Sequence, residues 1–461
     1  MNRMINKWYF ILLVATLASV TACEVEEIVD PNNPSLGSVL NDASKAELQT
    51  LVYGLEGRNR DYLANAVQMF GAFGREVWPY FASDPRFIPD WLGIGRTETY
   101  TDFFTSGGTY VTPYIAVKQA NVLIQSADNS TALSTAERAG YKGFAKTIKG
   151  FQLLWPLMQQ YQNGIRIEVS DPLNPGPRLG YAESLAAISD ILADGLKDLN
   201  DAGSSFSFVL TEGFGGFDTP DGMKKVNRAI AARVALYAGN NQGALDALAV
   251  SFMDLDVDAA TSDKMNVGPA HVYGEAPDLN NPLYYPFDRP TSTILIAHPA
   301  LIEDALPGDA RVANKFARRV ANPVTNNALK DAAGNLLVGE YQDNRWATNT
   351  DPVPFIRNEE LILIYAEAKA RSGQPTDAVE AINVVRNTWG LANYGGAQTE
   401  DALIDEILFQ RRYSLWAEGG HRWIDLRRTN RLNSTYVDLR DLGSIYTQVS
   451  RRSSEINWDE G

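Results

Sequence analysis

Two stretches near the C-terminal end decide how this chain can fold: PFIRNEELILIYAEAKAR at Pro354–Arg371 and FQRRYSLWAEGGHRWIDLRR at Phe409–Arg428. The first opens a segment, Leu361–Asn387, in which small residues recur at helical spacing on both sides of Gly373. Small residues let paired helices approach closely, and a glycine-containing turn joins them, as in tetratricopeptide repeats. The segment therefore predicts a helix pair.

The charged residues of the second stretch predict a network of ion pairs. Glu418 and Arg422 are four residues apart, and Arg422 and Asp425 are three apart. Side chains at these spacings meet on a helix, although Gly419-Gly420 can break the helix there. We expect these charges to dock the C-terminal segment rather than to bind a ligand.

Helical signals continue upstream. Ser134 and Glu137 have the spacing of a capping box, and an apolar pattern then runs to about Tyr161, with Pro156 expected to kink or divide the helix. A second helix pair is predicted at Ala229–Val250, with Gly239 ending its first helix. A single apolar face is predicted for Tyr181, Leu185, Ile188, Leu192, Leu196 and Leu199.

These patterns predict a mainly α fold. We expect helical repeat units roughly at residues 134–200, 226–250, 355–390 and 399–428, because such units need neighbours to bury their apolar faces. Long irregular segments separate them, and a hairpin is predicted around Asp331–Asn335.

The first residues predict export with a lipid anchor. Arg3 and Lys7 precede an apolar run that is too short to span a bilayer, which indicates a signal peptide at residues 1–22. Val20-Thr21-Ala22-Cys23 resembles the bacterial lipobox, and Cys23 is the single cysteine of the chain. We predict lipid attachment at Cys23 and a flexible tether at residues 23–36.

Composition excludes some classes of partner and site. The 461 residues carry a formal charge of −15, so nucleic acid is not expected as a partner. The three histidines lack metal-ligand spacing, and neither a nucleophile elbow nor a phosphate loop is present. We therefore predict a protein that is not an enzyme and has no metal and no cofactor.

The quoted stretches resemble the SusD/RagB family of outer-membrane nutrient-binding lipoproteins. Matches to the helix pattern R-x-A-E-x-x-L-x-x-A-E-A are Arg357, Glu360, Ala366, Glu367 and Ala368. Matches to the signature E-R-x-x-E-L-x-x-E-G-x-R-W-x-D-L-x-R are Arg412, Leu415, Glu418, Gly419, Arg422, Trp423, Asp425, Leu426 and Arg428. The sequence departs from the family at Gln410 and Ser414, where glutamates are common, and has one extra residue after Gly419.

The resemblance implies a SusD-like fold in one domain over residues 37–461. It also implies a glycan site on irregular loops outside the helical scaffold, where flat aromatic faces and polar groups hold sugars. The ligand-binding candidates are Trp78, Tyr80, Trp91, Asp84, Arg86, Tyr284, Tyr285 and Trp346. Further candidates are Arg75, Phe81, Asp90, Tyr100, Tyr273, Arg289, Tyr341 and Arg345, whereas Trp155, Trp389, Trp416 and Trp423 are expected in the core.

The function implied is capture of polysaccharide or oligosaccharide on the cell surface and its delivery to a SusC-like TonB-dependent transporter. The protein would be held on the outer membrane by its lipid and would face the exterior. Two alternatives stay open: a RagB-like protein that binds peptides or another nutrient, and a tetratricopeptide adaptor lipoprotein that binds only protein.

Overall fold

The computed structural model describes residues 36–80, 84–96, 107–171, 173–291 and 295–460. The predicted signal, Cys23 and the tether up to residue 35 lie outside the described residues, as do Phe81 and Tyr100.

Helices account for most of the regular structure, which confirms the prediction of a mainly α fold. The helices are α1 (Leu36–Asp42), α2 (Lys45–Asn59), α3 (Leu63–Asn65), α4 (Gly71–Phe73), α5 (Phe87–Leu92), α6 (Val111–Asn129), α7 (Thr135–Gln160), α8 (Tyr181–Asp201), α9 (Pro220–Tyr237), α10 (Asn241–Leu248), α11 (Pro299–Glu303), α12 (Ala310–Lys315), α13 (Asn358–Arg371), α14 (Pro375–Thr388), α15 (Glu400–Ser414), α16 (His421–Arg428) and α17 (Ser453–Glu460). No helix within the described ranges is long and apolar enough to span a lipid bilayer.

Helices α7 and α8 pack against one another as an antiparallel pair. The Ser134 hydroxyl accepts from Glu137 N at 3.3 Å, and the Glu137 carboxylate accepts from Ser134 N at 2.9 Å, so the predicted capping box is confirmed. Pro156 does not divide the helix, because α7 continues to Gln160; a kink at Pro156 stays a prediction. The buried face of α8 contains four of the residues predicted from periodicity, Leu185, Ile188, Leu192 and Leu199.

Helices α9 and α10 form a second pair, and α13 packs on α10, α14 and α15. Because α13 has neighbours on several sides, nearly all of its residues are buried. Ala366 of α13 and Ala378 and Ala381 of α14 are almost fully buried, as expected for small residues that let helices approach closely.

A glycine turn separates α15 from α16. Gly419 and Gly420 have φ values of 113° and 76°, in the region that favours glycine, and Gly420 is the N-cap of α16. A Cβ atom added at Gly420 would overlap the Cβ atom of Phe70. Both the backbone conformation and the close approach therefore require glycine at this position.

We expect Gly420→Ala to lower the free energy of unfolding by about 2–3 kcal/mol, because it adds left-handed backbone strain and overpacking. Gly373→Ala is the control: Gly373 has a similar φ of 70°, but nothing lies within 4 Å of its added Cβ. That change should cost about 1 kcal/mol from backbone strain alone. Equal losses in urea unfolding would show that the contact with Phe70 is unimportant.

The strands are short and lie in the irregular segments. They are β1 (Val77–Pro79), β2 (Ile165–Arg166), β3 (Arg178–Leu179), β4 (Ala270–His271), β5 (Leu295–Ala297), β6 (Phe316–Arg318), β7 (Val324–Lys330), β8 (Leu336–Gly339), β9 (Tyr341–Asp343) and β10 (Val353–Pro354). Four of them form an antiparallel sheet in the order β1-β5-β9-β6. Strands β7 and β8 pair around Asp331–Asn335, so the predicted hairpin is confirmed.

Candidate functional site

The four-stranded sheet joins segments that are far apart in the sequence. Trp78 of β1 is opposite Ile296 of β5, which is opposite Gln342 of β9. The Tyr80 hydroxyl also donates to Leu337 O of β8 at 3.2 Å. The early and late segments that the sequence analysis selected are therefore neighbours in the fold.

Gln342 holds the loop of residues 281–291 on this sheet. Its Nε2 donates to Tyr285 O at 2.8 Å, and its Oε1 accepts from Asp288 N at 3.2 Å. Asn281 N donates to Asn349 O at 2.7 Å at the other end of the loop. We give the name loop face to residues 281–291 and 341–346, which these hydrogen bonds join, and to residues 84–86, which follow β1 of the same sheet.

Asp288 gives this loop its second attachment. Its carboxylate accepts from the backbone N–H groups of Val320, Ala321 and Asn322 at 3.2, 2.9 and 2.8 Å. The hydrogen bonds from Ala321 and its neighbours lower the pKa of Asp288 below its ordinary value. The group is thus an ionised anchor for the loop rather than a general acid.

The expectation that Trp78, Tyr80 and Trp91 form an exposed platform is wrong, because each is at most 1% exposed. Trp78 Nε1 donates to an Asp441 oxygen at 3.3 Å, and Arg75 Nε donates to the same carboxylate at 2.7 Å. A buried indole and a buried guanidinium both need an acceptor, and Asp441 from the C-terminal region supplies it. These residues dock two distant parts of the chain.

Trp91 belongs to the same buried region. Its ring packs on Phe87 with centroids 4.6 Å apart, and the neighbouring Asp90 is fully buried. Leu92 O, at the end of α5, accepts from Ser444 N at 2.7 Å. Helix α5 is therefore covered by the C-terminal segment, which removes Trp91 and Asp90 from the surface.

Asp84 and Arg86 remain on the surface. They form an ion pair in which the Arg86 side chain is 47% exposed and the Asp84 side chain 24% exposed. Hydrogen bonds from the Arg86 side chain and backbone lower the pKa of Asp84. The pair can offer both donors and acceptors to a hydroxyl-rich ligand.

The later aromatic candidates keep part of their surface in solvent. Tyr284, Tyr285 and Trp346 are half-buried. Arg345 lies over the Trp346 ring at 5.0 Å and also pairs with Asp343 at 2.7 Å, so it holds the indole in place. Of the further candidates, Tyr273 and Tyr341 are half-buried and Arg289 is exposed.

The ion pairs predicted within the C-terminal signature are replaced by pairs with other residues. Glu418 accepts from Arg357 at 2.9 and 3.0 Å, and Asp425 accepts from Arg411 at 2.6 Å. Arg422 instead donates to a backbone carbonyl at 3.0 Å. The glycine turn at residues 419–420 takes Glu418 off the helix of Arg422, so their four-residue spacing no longer applies. Within α16, Asp425 pairs with Arg428 at 2.8 Å rather than with Arg422. The network is structural, as expected, but its pairing was wrong.

Three of the four tryptophans that were expected in the core are buried, and the fourth is half-buried. Trp155, Trp416 and Trp423 are at most 4% exposed, which confirms the expectation for these three. Trp389 is half-buried, and its Nε1 donates to the buried Glu359 at 2.6 Å.

The three histidines are buried and neutral. Desolvation lowers the pKa of His271 to about 3 and of His421 to about 4, and it lowers the pKa of His298 well below its ordinary value. Within the described part of the chain, no three His, Cys, Asp or Glu side chains converge on a position that could hold a metal ion.

A cleft of about 490 Å³ opens between α6, the β2–β3 hairpin and α17. We call it the C-terminal cleft. Its lining includes Tyr110, Tyr114, Ile115, Lys118, Arg452 and Trp458. The cleft was not predicted from the sequence, because the residues of its walls are far apart in the chain, at positions 110–175 and 452–458. A tryptophan in a short C-terminal helix, Trp458, was a local signal for it.

Comparisons of sequence and of fold with known proteins both find similarity to SusD proteins. The family model described as the SusD family matches residues 337–457. A crystal structure of a SusD superfamily protein from Bacteroides fragilis has a TM-score of 0.65 over 90% of this chain and 98% of that chain, at 14% identity. The chain has a SusD-like fold, and its residues 337–457 match the SusD family.

Two further similar proteins are informative. SusD-like protein P38 of Formosa agariphila is 34% identical over 107 residues, and the match spans only 21% of this chain and 21% of that relative. Surface glycan-binding protein A from Bacteroides thetaiotaomicron, solved in complex with laminarihexaose, has a TM-score of 0.63 and 15% identity. That likeness covers 90% of this chain and 97% of the other, and it concerns the fold.

Proposed function

We propose that this protein is a non-catalytic binder of polysaccharide or oligosaccharide on the cell surface, which delivers its ligand to a SusC-like TonB-dependent transporter. A lipid on Cys23 would hold it on the outer face of the outer membrane. The observation that carries the proposal is the fold shared, over 90% of the chain, with a surface glycan-binding protein whose structure contains laminarihexaose.

We place the glycan on the loop face. Tyr284, Tyr285 and Trp346 are half-buried, so packing orients each ring while part of its surface is left for the C–H side of a sugar. The exposed pair of Asp84 and Arg86 supplies hydrogen-bonding groups for hydroxyls. An apolar platform with a few oriented polar groups is the usual composition of a small-ligand site.

The attachment of the loop supports this placement. Gln342 and Asp288 fix residues 281–291 by backbone hydrogen bonds before any ligand arrives. A loop that is already ordered loses less conformational entropy on binding, so more of the contact energy contributes to affinity.

The test is affinity electrophoresis of the soluble form that begins after Cys23, in gels that each contain one polysaccharide. We expect one polymer to retard the protein, and Tyr285→Ala or Trp346→Ala to weaken that binding by about tenfold, because each removes a stacking surface. Tyr53→Ala is the matched control: Tyr53 is 47% exposed on α2, away from the loop face, and its removal should leave retardation unchanged.

Circular dichroism of each variant separates loss of binding from loss of fold. Retardation that survives both loop-face changes would contradict the placement of the site. Absence of retardation by β-glucans, α-glucans, fructans, mannans and xylans alike would count against glycan capture and in favour of the peptide-binding alternative.

A further inference from the structure

We propose that the C-terminal cleft is a second saccharide site and that it takes an anionic sugar residue, one that bears a carboxylate or a sulfate. Only one part of the inference rests on the proposed function, namely that the ligand is a sugar. The preference for an anion comes from the charges of the cleft itself.

The cleft has the shape and the aromatic lining of a sugar site. Its volume of about 490 Å³ lies within the usual range for ligand pockets. The rings of Tyr110 and Tyr114 meet edge to face at 5.3 Å, and the Tyr114 hydroxyl donates to Arg166 O at 2.8 Å, which fixes that ring. Trp458 is 54% exposed on the opposite wall. A pyranose can therefore stack between walls that are already oriented.

Two cations in this lining have no acidic partner among the described residues. Lys118 of α6 and Arg452, just before α17, take part in none of the ion pairs of that part of the chain. The one carboxylate of the lining, Glu455, is already neutralised by Arg178 at 2.6 Å and Arg166 at 3.7 Å. In a chain with a charge of −15, the cleft is thus a local concentration of available positive charge.

The helix that forms one wall adds to this preference. Helix α6 has 19 residues and begins at Val111, which lines the cleft. Its N-terminus has no side-chain cap and no acidic residue in the first turn. Val111 N donates to Gly107 O at 2.9 Å and Pro113 has no N–H, so the contribution of the helix is the positive end of its dipole, which no acidic residue of the first turn offsets.

Ion pairs hold the opposite wall in position. Arg178 of β3 pairs with Glu455 at 2.6 Å and with Asp459 at 3.2 Å, and Asp459 also pairs with Arg166 of β2. These pairs are partly exposed, so each contributes little to global stability. Together they fasten α17 to the β2–β3 hairpin, which places Trp458 across from Tyr114.

The experiment is calorimetric titration with an oligouronate tetrasaccharide, with the same tetrasaccharide reduced at its carboxyl groups, and with a sulfated tetrasaccharide. We expect at least one anionic form to bind about tenfold tighter than the neutral form, since hydrogen bonds to charged groups are the stronger ones. Lys118→Gln and Arg452→Gln should each remove about that tenfold preference, and Trp458→Ala should weaken binding of every form. Tyr53→Ala, a change outside both the cleft lining and the loop face, should leave binding of the anionic form unchanged.

Equal binding of neutral and anionic forms would overturn the inference, and so would a preference that survives Lys118→Gln and Arg452→Gln together. Loss of anionic binding in Tyr285→Ala would place the ligand on the loop face and also overturn it. Each of these results leaves the proposed function standing if a neutral polysaccharide still retards the wild-type protein. Failure to bind any glycan in either assay would contradict both. A preference for the uronate or for the sulfated form supports the inference and identifies the anion.

Discussion

We expect Arg233→Met to lower the free energy of unfolding by about 3–5 kcal/mol, the range observed when one partner of a buried ion pair is removed. Arg233 donates to both oxygens of Glu360, at 2.7 and 2.6 Å, and to Phe355 O at 3.0 Å. The two side chains are 3% and 2% exposed. Without Arg233, an ionised Glu360 would stay buried between α9 and α13 with its principal counter-ion gone. Guanidinium unfolding monitored by tryptophan fluorescence measures the loss.

Two further variants distinguish an effect of the unpaired buried charge from an effect of lost side-chain packing. Arg233→Met with Glu360→Leu replaces the pair by apolar side chains, and we expect it to recover most of the lost stability, because no unpaired charge is left. Arg318→Met breaks an ion pair with Glu340 in which the two side chains are 60% and 40% exposed, and it should have little effect on the free energy of unfolding. If the double variant were as unstable as the single one, lost packing of the arginine stem would explain the effect better than charge.

Acid should destabilise this protein by protonating buried carboxylates that form ion pairs with arginines. Burial alone would raise the pKa of Glu359, of Glu360 and of Asp425, but nearby arginines outweigh it and lower the pKa of each to about 2. Their ordinary values are 4.5 for the glutamates and 3.8 for the aspartate. Between those values and pH 2 the unfolded chain binds more protons than the folded one, so stability falls as the pH falls.

The stability that these carboxylates contribute is present above pH 4.5 and is lost on acidification towards pH 2. We expect the total loss to be on the order of 5 kcal/mol, a large fraction of the stability of a typical domain. Urea unfolding at a series of pH values measures the slope. The variant with both Arg233→Met and Glu360→Leu should show a shallower slope, because one of the three groups is absent. A slope that is unchanged in this variant would contradict the assignment to Glu360.

The features that were predicted correctly depend on residues that are close together in the sequence. The capping box of Ser134 and Glu137, the buried face of α8 and the hairpin at Asp331–Asn335 each depend on residues a few positions apart. Hydrogen bonds within one turn and the period of a helix are local properties, so they can be predicted without knowing what the element packs against.

The candidate site was predicted less well, because the partners of its residues are distant. Trp78 and Trp91 have the composition of a sugar platform, yet the C-terminal residues around Asp441 and Ser444 cover them. Tyr284, Tyr285 and Trp346 kept some exposure because the sheet and Gln342 hold their segments at the edge of the fold. Aromatic residues suit both a core and a binding surface, so composition alone does not distinguish the two.

By itself, the sequence determined the helices predicted within residues 134–161, 181–199, 229–250 and 361–387, the glycine turn, and a family resemblance carried mainly by residues 354–371 and 409–428, because helix periods, caps and turn residues act over a few positions. Only the tertiary structure decided that Glu418 pairs with Arg357, that Trp78 is buried, and that Tyr114 and Trp458 line one cleft. The physical reason is that a charge or an apolar face specifies the chemistry of its partner but not its identity. The packing of all the helices and loops determines which of the many suitable partners a residue contacts.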